Sequence, residues 1–280
     1  MTTLAPGAEA APGGTLYLVA TPIGNLGDIT IRAIEILKSV PLIAAEDTRV
    51  TRKLLTRYQI ATHAISYHAQ SDPGKLAKLL AHMRGGGDLA LVTDAGTPTV
   101  SDPGAEIAAA WAAEGGRVEA MPGASAALVA VAVSGLAGPR WSFEGFLPRR
   151  GSERRDRIAR LAADERGAVI FETPRRLGTT LADLAAACGS ERPAAICREL
   201  TKIHEQVLRL PLGALSAAVG DGAVPALGEA VIVLGWYPGG SGSATARSPE
   251  AGAVDVAVAR VADLVASGTP RGEAARLVSA

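Results

Sequence analysis

Aromatic residues make up only 4% of this chain, so its core must be packed largely from the abundant Ala, Val and Leu, as in helices laid on a parallel sheet. Cysteine is almost missing. Only Cys188 and Cys197 occur, with no CxxC pair and no Cys/His cluster at metal spacing, which excludes a disulfide framework and a zinc site. Both thiols are expected to be buried, in the reducing cytoplasm. There is no net charge, because 28 basic residues balance 28 acidic ones, so any nucleic-acid partner must be met by a local patch. No apolar run is long enough to span a bilayer, and the first residues lack the basic and apolar regions of a secretory signal. A soluble cytoplasmic protein without membrane contact is expected. Neither GxxxxGK[ST] nor GxGxxG occurs, which removes the usual phosphate-cradling signatures.

What is present is a repeated alternation. After a flexible leader at 1–14, the strand patterns TLYLVA, LIAAE, DLALVT and GRVEAM are followed by helical patterns near 28–38, 48–57, 103–114 and 124–134. Strand, turn and helix in succession predict an α/β fold with a mainly parallel sheet. At 280 residues the chain has room for two such domains. GLAGPRW, at 135–141, combines Gly and Pro after a full set of these units and marks the expected boundary between domains at 15–137 and 138–236. The second half is expected to hold helices at 153–163 and 175–187 and the strands AVIFE, PAAICREL and EAVIVLGW. Some of its connections are too short for crossover helices, so antiparallel neighbours are expected there. A Gly/Ser/Pro linker at 237–251 and a short helical element at 252–280, whole or truncated, are expected to follow.

Loops leaving the carboxyl ends of parallel strands face one crevice. Four of them are rich in Gly, Pro and hydroxyl residues: ATPIGNLGD, AEDTR, TDAGTPTVSDPG and MPGASAA. Gly allows close backbone approach to a ligand and Pro fixes the loop's shape. Each loop also has a purely structural reading, with Asp94 closing a turn and Asp47, Asp102 or Ser125 capping helices. In AEDTR the carboxylates Glu46 and Asp47 can take up a proton, or hold a ribose as in dinucleotide sites. Arg49, Arg52 and Lys53 follow at helical spacing and can meet phosphates. FLPRRGSERRDR gathers Arg149, Arg150, Arg154, Arg155 and Arg157, with Glu153 and Asp156 interleaved. This segment is either an RNA grip or a solvated helix. His68 and His204 stand alone and are read as structural.

TLYLVATPIGNLGDIT, LIAAEDTR, LVTDAGTPTVSDPG, MPGASAA, FEGFLPRRG, FETPRR and ICRELTKIHE occur in this order. Together they closely resemble the bacterial 16S ribosomal RNA cytidine-2′-O-methyltransferases, of the tetrapyrrole methylase superfamily, over roughly residues 15–236. The resemblance implies two α/β domains with S-adenosylmethionine (SAM) in the cleft between them, a homodimer, and methylation of a cytidine ribose in the small ribosomal subunit. It places Pro22, Ala95, Gly96, Thr97, Val100, Ser125, Ala126, Glu172 and Leu200 at cofactor positions. Within that chemistry we take Asp47 or Glu46 as the acid-base candidates, with Arg49 and Lys202 positioning the nucleotide. RNA contacts are expected from Arg49, Arg52, Lys53, Arg149, Arg150, Arg154 and Arg155. No metal is required, since the sulfonium of SAM already activates the methyl. Methylation of a tetrapyrrole or another small molecule, and noncatalytic RNA binding, are the competing readings.

Overall fold

Short apolar runs in the first half become parallel strands because each is followed by a helix that carries the chain back over the sheet. The computed structural model describes residues 13–68, 73–225 and 227–237. Its first half runs β1 (Thr15–Val19), α1 (Ile31–Ser39), β2 (Leu42–Ala45), α2 (Thr48–Arg57), β3 (Ala64–Ser66), α3 (Pro73–Arg84), β4 (Leu89–Val92), α4 (Ala105–Ala113), β5 (Arg117–Met121) and α5 (Ala126–Ser134). The five strands form one parallel sheet in the order β3-β2-β4-β1-β5. Every residue of β4 is buried, as a central strand covered on both faces must be.

Local chemistry sets the helix starts. The expected helix near 28–38 begins only at Ile31, because Thr30 caps it by accepting the Ala33 amide; a single 3-10 turn, Leu26–Asp28, precedes it. Asp47 caps α2 and Ser125 caps α5, as their structural readings proposed. Asp102 does not cap α4. That helix starts after Gly104, whose φ of 122° lies outside the helical region. The short edge strand β3 and helix α3 extend the expected pattern.

The second half runs β6 (Trp141–Phe146), α6 (Ser152–Ala163), β7 (Gly167–Glu172), α7 (Pro174–Cys188), β8 (Pro193–Arg198), β9 (Gln206–Pro211), α8 (Leu212–Gly220) and β10 (Ala230–Leu234). Its sheet has the order β6-β7-β10-β8-β9. Only β6 and β7 are parallel; β10 runs antiparallel to both β7 and β8, and β8 to β9. The antiparallel neighbours expected from short connections are therefore present, and the connections themselves add β6, β9 and α8.

Helix α5 joins the halves. Its sequence AALVAVAVS has almost no polar face, as a helix covered on several sides requires. Ala127 and Ala130 pack in one apolar cluster with Val169, Ala195, Cys197, Val231 and Val233 of the second sheet. Cys188 and Cys197 are buried free thiols. Among the described residues no helix is long and apolar enough to cross a membrane. Most of the leader, the linker from 238 onward and the C-terminal helical element lie outside the described residues.

Candidate active site between the two sheets

The strand order decides which loops meet. β2, β4, β1 and β5 are consecutive neighbours, so the four Gly- and Pro-rich loops leave one edge of the sheet side by side, where chain direction diverges and ligands bind in such folds. The loop after β4 ties the others together. Its Gly96 exchanges both main-chain hydrogen bonds with Thr21 of the first loop, at 2.9 and 3.0 Å. Asp94 Oδ1 accepts the Asp47 amide at 3.0 Å, while Glu46 Oε2 accepts the Asp94 amide at 3.2 Å. Thr97 Oγ1 donates to the Ala124 carbonyl of the loop after β5 at 3.2 Å.

Between these loops and the second sheet lies a cavity of about 390 Å³, in the size range of small-molecule sites. Ala95, Gly96, Thr97, Val100, Ser125, Ala126 and Glu172, seven of the nine proposed cofactor residues, line it. Phe146, Phe171 and the segment from Gly228 to Val231 form the opposite wall. That segment is held in place partly by Arg198, whose Nη2 donates to the Leu227 carbonyl at 2.7 Å. Pro22 lines an adjoining cavity of about 440 Å³, which shares Ile23, Asp94, Ala95 and Glu229 with the first. Leu200 is buried beneath, with its main chain so close to Gly24 that a side chain there has no room. It shapes the first loop from below.

The two cavities differ in charge. Glu46, Asp94, Asp102, Glu172 and Glu229 all line the first, Glu172 with its carboxylate buried behind the surface, and among the described residues no Lys or Arg does. The second includes Lys53 and Lys202. Glu172 and Glu229 are neutralised from behind, by Arg176 at 3.3 Å and Lys202 at 3.1 Å. Glu172 is further held by the Thr180 hydroxyl at 2.7 Å and the Thr173 amide at 2.8 Å. Such a lining favours a cationic ligand and repels a phosphate-bearing one. SAM fits on three counts: its sulfonium and ammonium are cations, its adenine needs apolar walls such as Phe171 and Val231, and its polar edges need exposed backbone.

The proposed catalytic residues separate once their partners are known. Asp47 is fully engaged: it caps α2 and grips the Arg49 guanidinium through both oxygens, at 2.6 to 3.1 Å. Those Arg49 hydrogen bonds hold its carboxyl down to about 2, which makes it a weak proton acceptor. It is also not among the residues lining the first cavity. Glu46 does line it, and partial burial raises its carboxyl against the opposing hydrogen bond from the Asp94 amide. Lys202 Nζ donates to Glu199 at 2.9 Å and Glu229 at 3.1 Å. Burial alone would lower its pKa, but these bonds outweigh it and raise it, so Lys202 stays a cation. Arg49 extends into solvent with its side chain 88% exposed.

The proposed RNA-contact residues divide as well. Arg52, Lys53, Arg149, Arg150 and Arg155 are exposed. Arg154 is not: it is buried and spends its guanidinium on Asp183 at 2.7 Å, Thr180 at 3.1 Å and the Pro148 carbonyl at 3.1 Å. We correct its assignment from an RNA contact to an internal brace that holds the segment carrying Arg149 and Arg150. Arg157 is likewise turned inward, onto Glu144.

Asp102 is the site residue that its sequence context conceals. Read as a helix cap, it instead lines the cavity, and its carboxyl is raised to about 7 by burial first and then by the charges of Glu46 and Asp94. With a helix expected from 103, Asp102 reads as its cap, and only the observed start at Ala105, after Pro103 and Gly104, releases it from that role.

Solved structures of methyltransferases superpose on the chain. They include a cobalamin biosynthetic enzyme, cobalt precorrin-4 methyltransferase, with a TM-score of 0.62 at 19% identity over 79% of this chain and 95% of that one. Another is uroporphyrin-III C-methyltransferase from Thermus thermophilus complexed with S-adenyl homocysteine, with a TM-score of 0.56 at 20% identity over 79% and 97%. The family model for tetrapyrrole (corrin/porphyrin) methylases matches residues 15–216, and the chain belongs to that family. Its relatives include proteins named ribosomal RNA small subunit methyltransferase I. The one from Synechocystis is 50% identical over 206 residues, covering 74% of this chain and 73% of that protein. The one from Pseudomonas aeruginosa is 38% identical over 268 residues, covering 95% and 92%.

Proposed function

We propose that the chain transfers a methyl group from SAM to the ribose 2′-oxygen of a cytidine in the 16S RNA of the small ribosomal subunit. The observation that carries this reading is the pair of adjoining cavities, one acidic and, among the described residues, free of Lys and Arg, the other adding Lys53 and Lys202 to the shared Asp94 and Glu229. A cationic methyl donor suits the first, and the exposed Lys53 at the second, whose neighbour Lys202 is already paired with Glu199 and Glu229, can meet an anionic RNA backbone. The relatives named ribosomal RNA small subunit methyltransferase I support the RNA class of substrate.

SAM, when bound, supplies an electrophilic methyl, so the protein has to align reactants and manage one proton. Ala95, Gly96 and Thr97 offer backbone to the cofactor, Val100 and Ala126 flank it, Ser125 caps α5 beside it, and Glu172, its carboxylate buried against Arg176 and Thr180, shapes the wall. Pro22 and Leu200 shape the first loop around the same space. Arg49, Arg52, Lys53, Arg149, Arg150 and Arg155 guide the RNA backbone. The reading takes 15–137 and 138–236 as its two domains, a division supported by the strands of the two sheets falling on either side of it. The enzyme acts as a homodimer in the cytoplasm. Exposed apolar side chains such as Ile31 and Leu128 support self-association, and the two unpaired buried thiols support a reducing compartment.

The test is methyl transfer from radiolabelled SAM to small subunits lacking the modification, with the product mapped at nucleotide resolution. Label on one cytidine 2′-oxygen is expected. Transfer to a tetrapyrrole and none to subunits would replace this reading with a small-molecule methylase.

A further inference from the structure

Among the carboxylates lining the first cavity, Asp102 alone has no hydrogen bond or ion pair among the described residues. Glu172 and Glu229 face cations, and Asp94 and Glu46 each accept a backbone amide. Asp102 is left half-buried, and the charges that act on it, those of Glu46 and Asp94, are of its own sign. Leaving such a group bare is unfavourable, yet the loop is shaped to keep it there. Thr99 and Ser101 have φ of 75° and 63°, in the left-handed region that side chains disfavour, and Gly104 follows at 122°. A Cβ at Gly104 would collide with Leu91. Non-glycine residues held this way gather at functional sites.

We propose that Asp102 is the catalytic base that receives the proton of the ribose 2′-hydroxyl during methyl transfer. This rests on the methyltransferase reading above and replaces Asp47 and Glu46 in that role. The 2′-O–H bond breaks and its proton passes to an Asp102 carboxylate oxygen. The freed electron pair forms the bond from the 2′-oxygen to the methyl carbon. The pair of the broken carbon–sulfur bond stays on sulfur, which leaves as a neutral thioether, and Asp102 later gives its proton to water. An unpartnered acceptor suits this step, since no existing hydrogen bond has to be given up. Its carboxyl, held near 7 by burial and by Glu46 and Asp94, changes state within the working pH range. Across the cavity Glu172 and Glu229 keep their own cationic partners, and among the described residues no lysine or arginine lines the space to stabilise the ionised form.

The experiment compares the full chain with D102N and E46Q in single-turnover methyl transfer to unmodified subunits from pH 5.5 to 9. SAM affinity is measured by calorimetry, and thermal unfolding is followed across the same range. D102N is expected to slow transfer at least about 100-fold, to bind SAM within about threefold of wild type, and to lose the rise in rate around pH 7. E46Q is expected to keep the rise with its midpoint shifted down, because one like charge is gone. Without ligands, D102N should gain stability over wild type as pH rises from 4 to 7, since the raised carboxyl costs the folded state progressively over that window. A D102N rate within threefold of wild type, a retained rise, or a loss explained by weaker SAM binding would each overturn the assignment. Wild type that binds SAM without methylating subunits would instead sink the substrate reading, and the unfolding comparison would still decide whether Asp102 titrates near 7.

Discussion

The loops after β2 and β4 leave neighbouring strands and both present carboxylates, yet they handle them in opposite ways. In the first, Asp47 is bound by Arg49 and by the start of α2, and its proton affinity is low. In the second, Asp102 has no such partner and its proton affinity is high. The residue type is the same, so surroundings alone set the chemistry, and an acidic dipeptide next to basic residues is a poor guide to the reacting group.

The strongest way to break the contrast is to collapse the second loop. G104V forces a side chain against Leu91 at a backbone angle that only glycine adopts freely. It should cost about 2–4 kcal/mol in denaturant unfolding and abolish transfer by displacing Asp102. The same opposition of engaged and open groups recurs among the arginines. R154A removes a buried guanidinium from three partners and should destabilise by about 2 kcal/mol, with an unchanged salt dependence of subunit binding. Replacing Arg52, Lys53, Arg149 and Arg150 together by alanine should do the reverse: little change in stability, binding weakened about tenfold or more, and a log–log salt slope shallower by about three. The smallest effect is expected from R49A, which makes the first loop resemble the second. Asp47, now held low, supports the fold above its unfolded pKa, and that support fades as pH falls from about 4 toward 2. The stability gap between wild type and R49A should therefore close across that window in acid titration followed by circular dichroism.

Much of the architecture was legible in the sequence, because the first half repeats strand, turn and helix with clear apolar periods. α2 falls where its cap and spacing place it, at Thr48–Arg57. β3 has only three residues and β9 is a partly exposed edge strand, so neither carries a strong pattern. In the site, the Gly- and Pro-rich loops announced a ligand crevice, while the partners of individual side chains depended on tertiary neighbours. Arg154 sits in a run of arginines that looks uniform, and only Asp183 and Thr180, which approach from another helix, set it apart. Asp102 was concealed by the opposite circumstance, since a lack of partners leaves no trace in a sequence.

The hydrogen bonds that join Thr21 to Gly96, Asp47 to Asp94 and Ala124 to Thr97 make one collar of loops that are far apart in the chain, all tied to the loop after β4. Such a collar cannot be edited one loop at a time, because altering any member disturbs its neighbours. The facing wall, with Phe146, Phe171 and the segment from Gly228 to Val231, meets these loops by apolar packing of Ile23, Ala95 and Ala124 with Phe171 and Val231, and among the described residues shares no hydrogen bond with them. Redesign of which substrate enters should therefore begin on that wall, leaving the grip on the methyl donor intact.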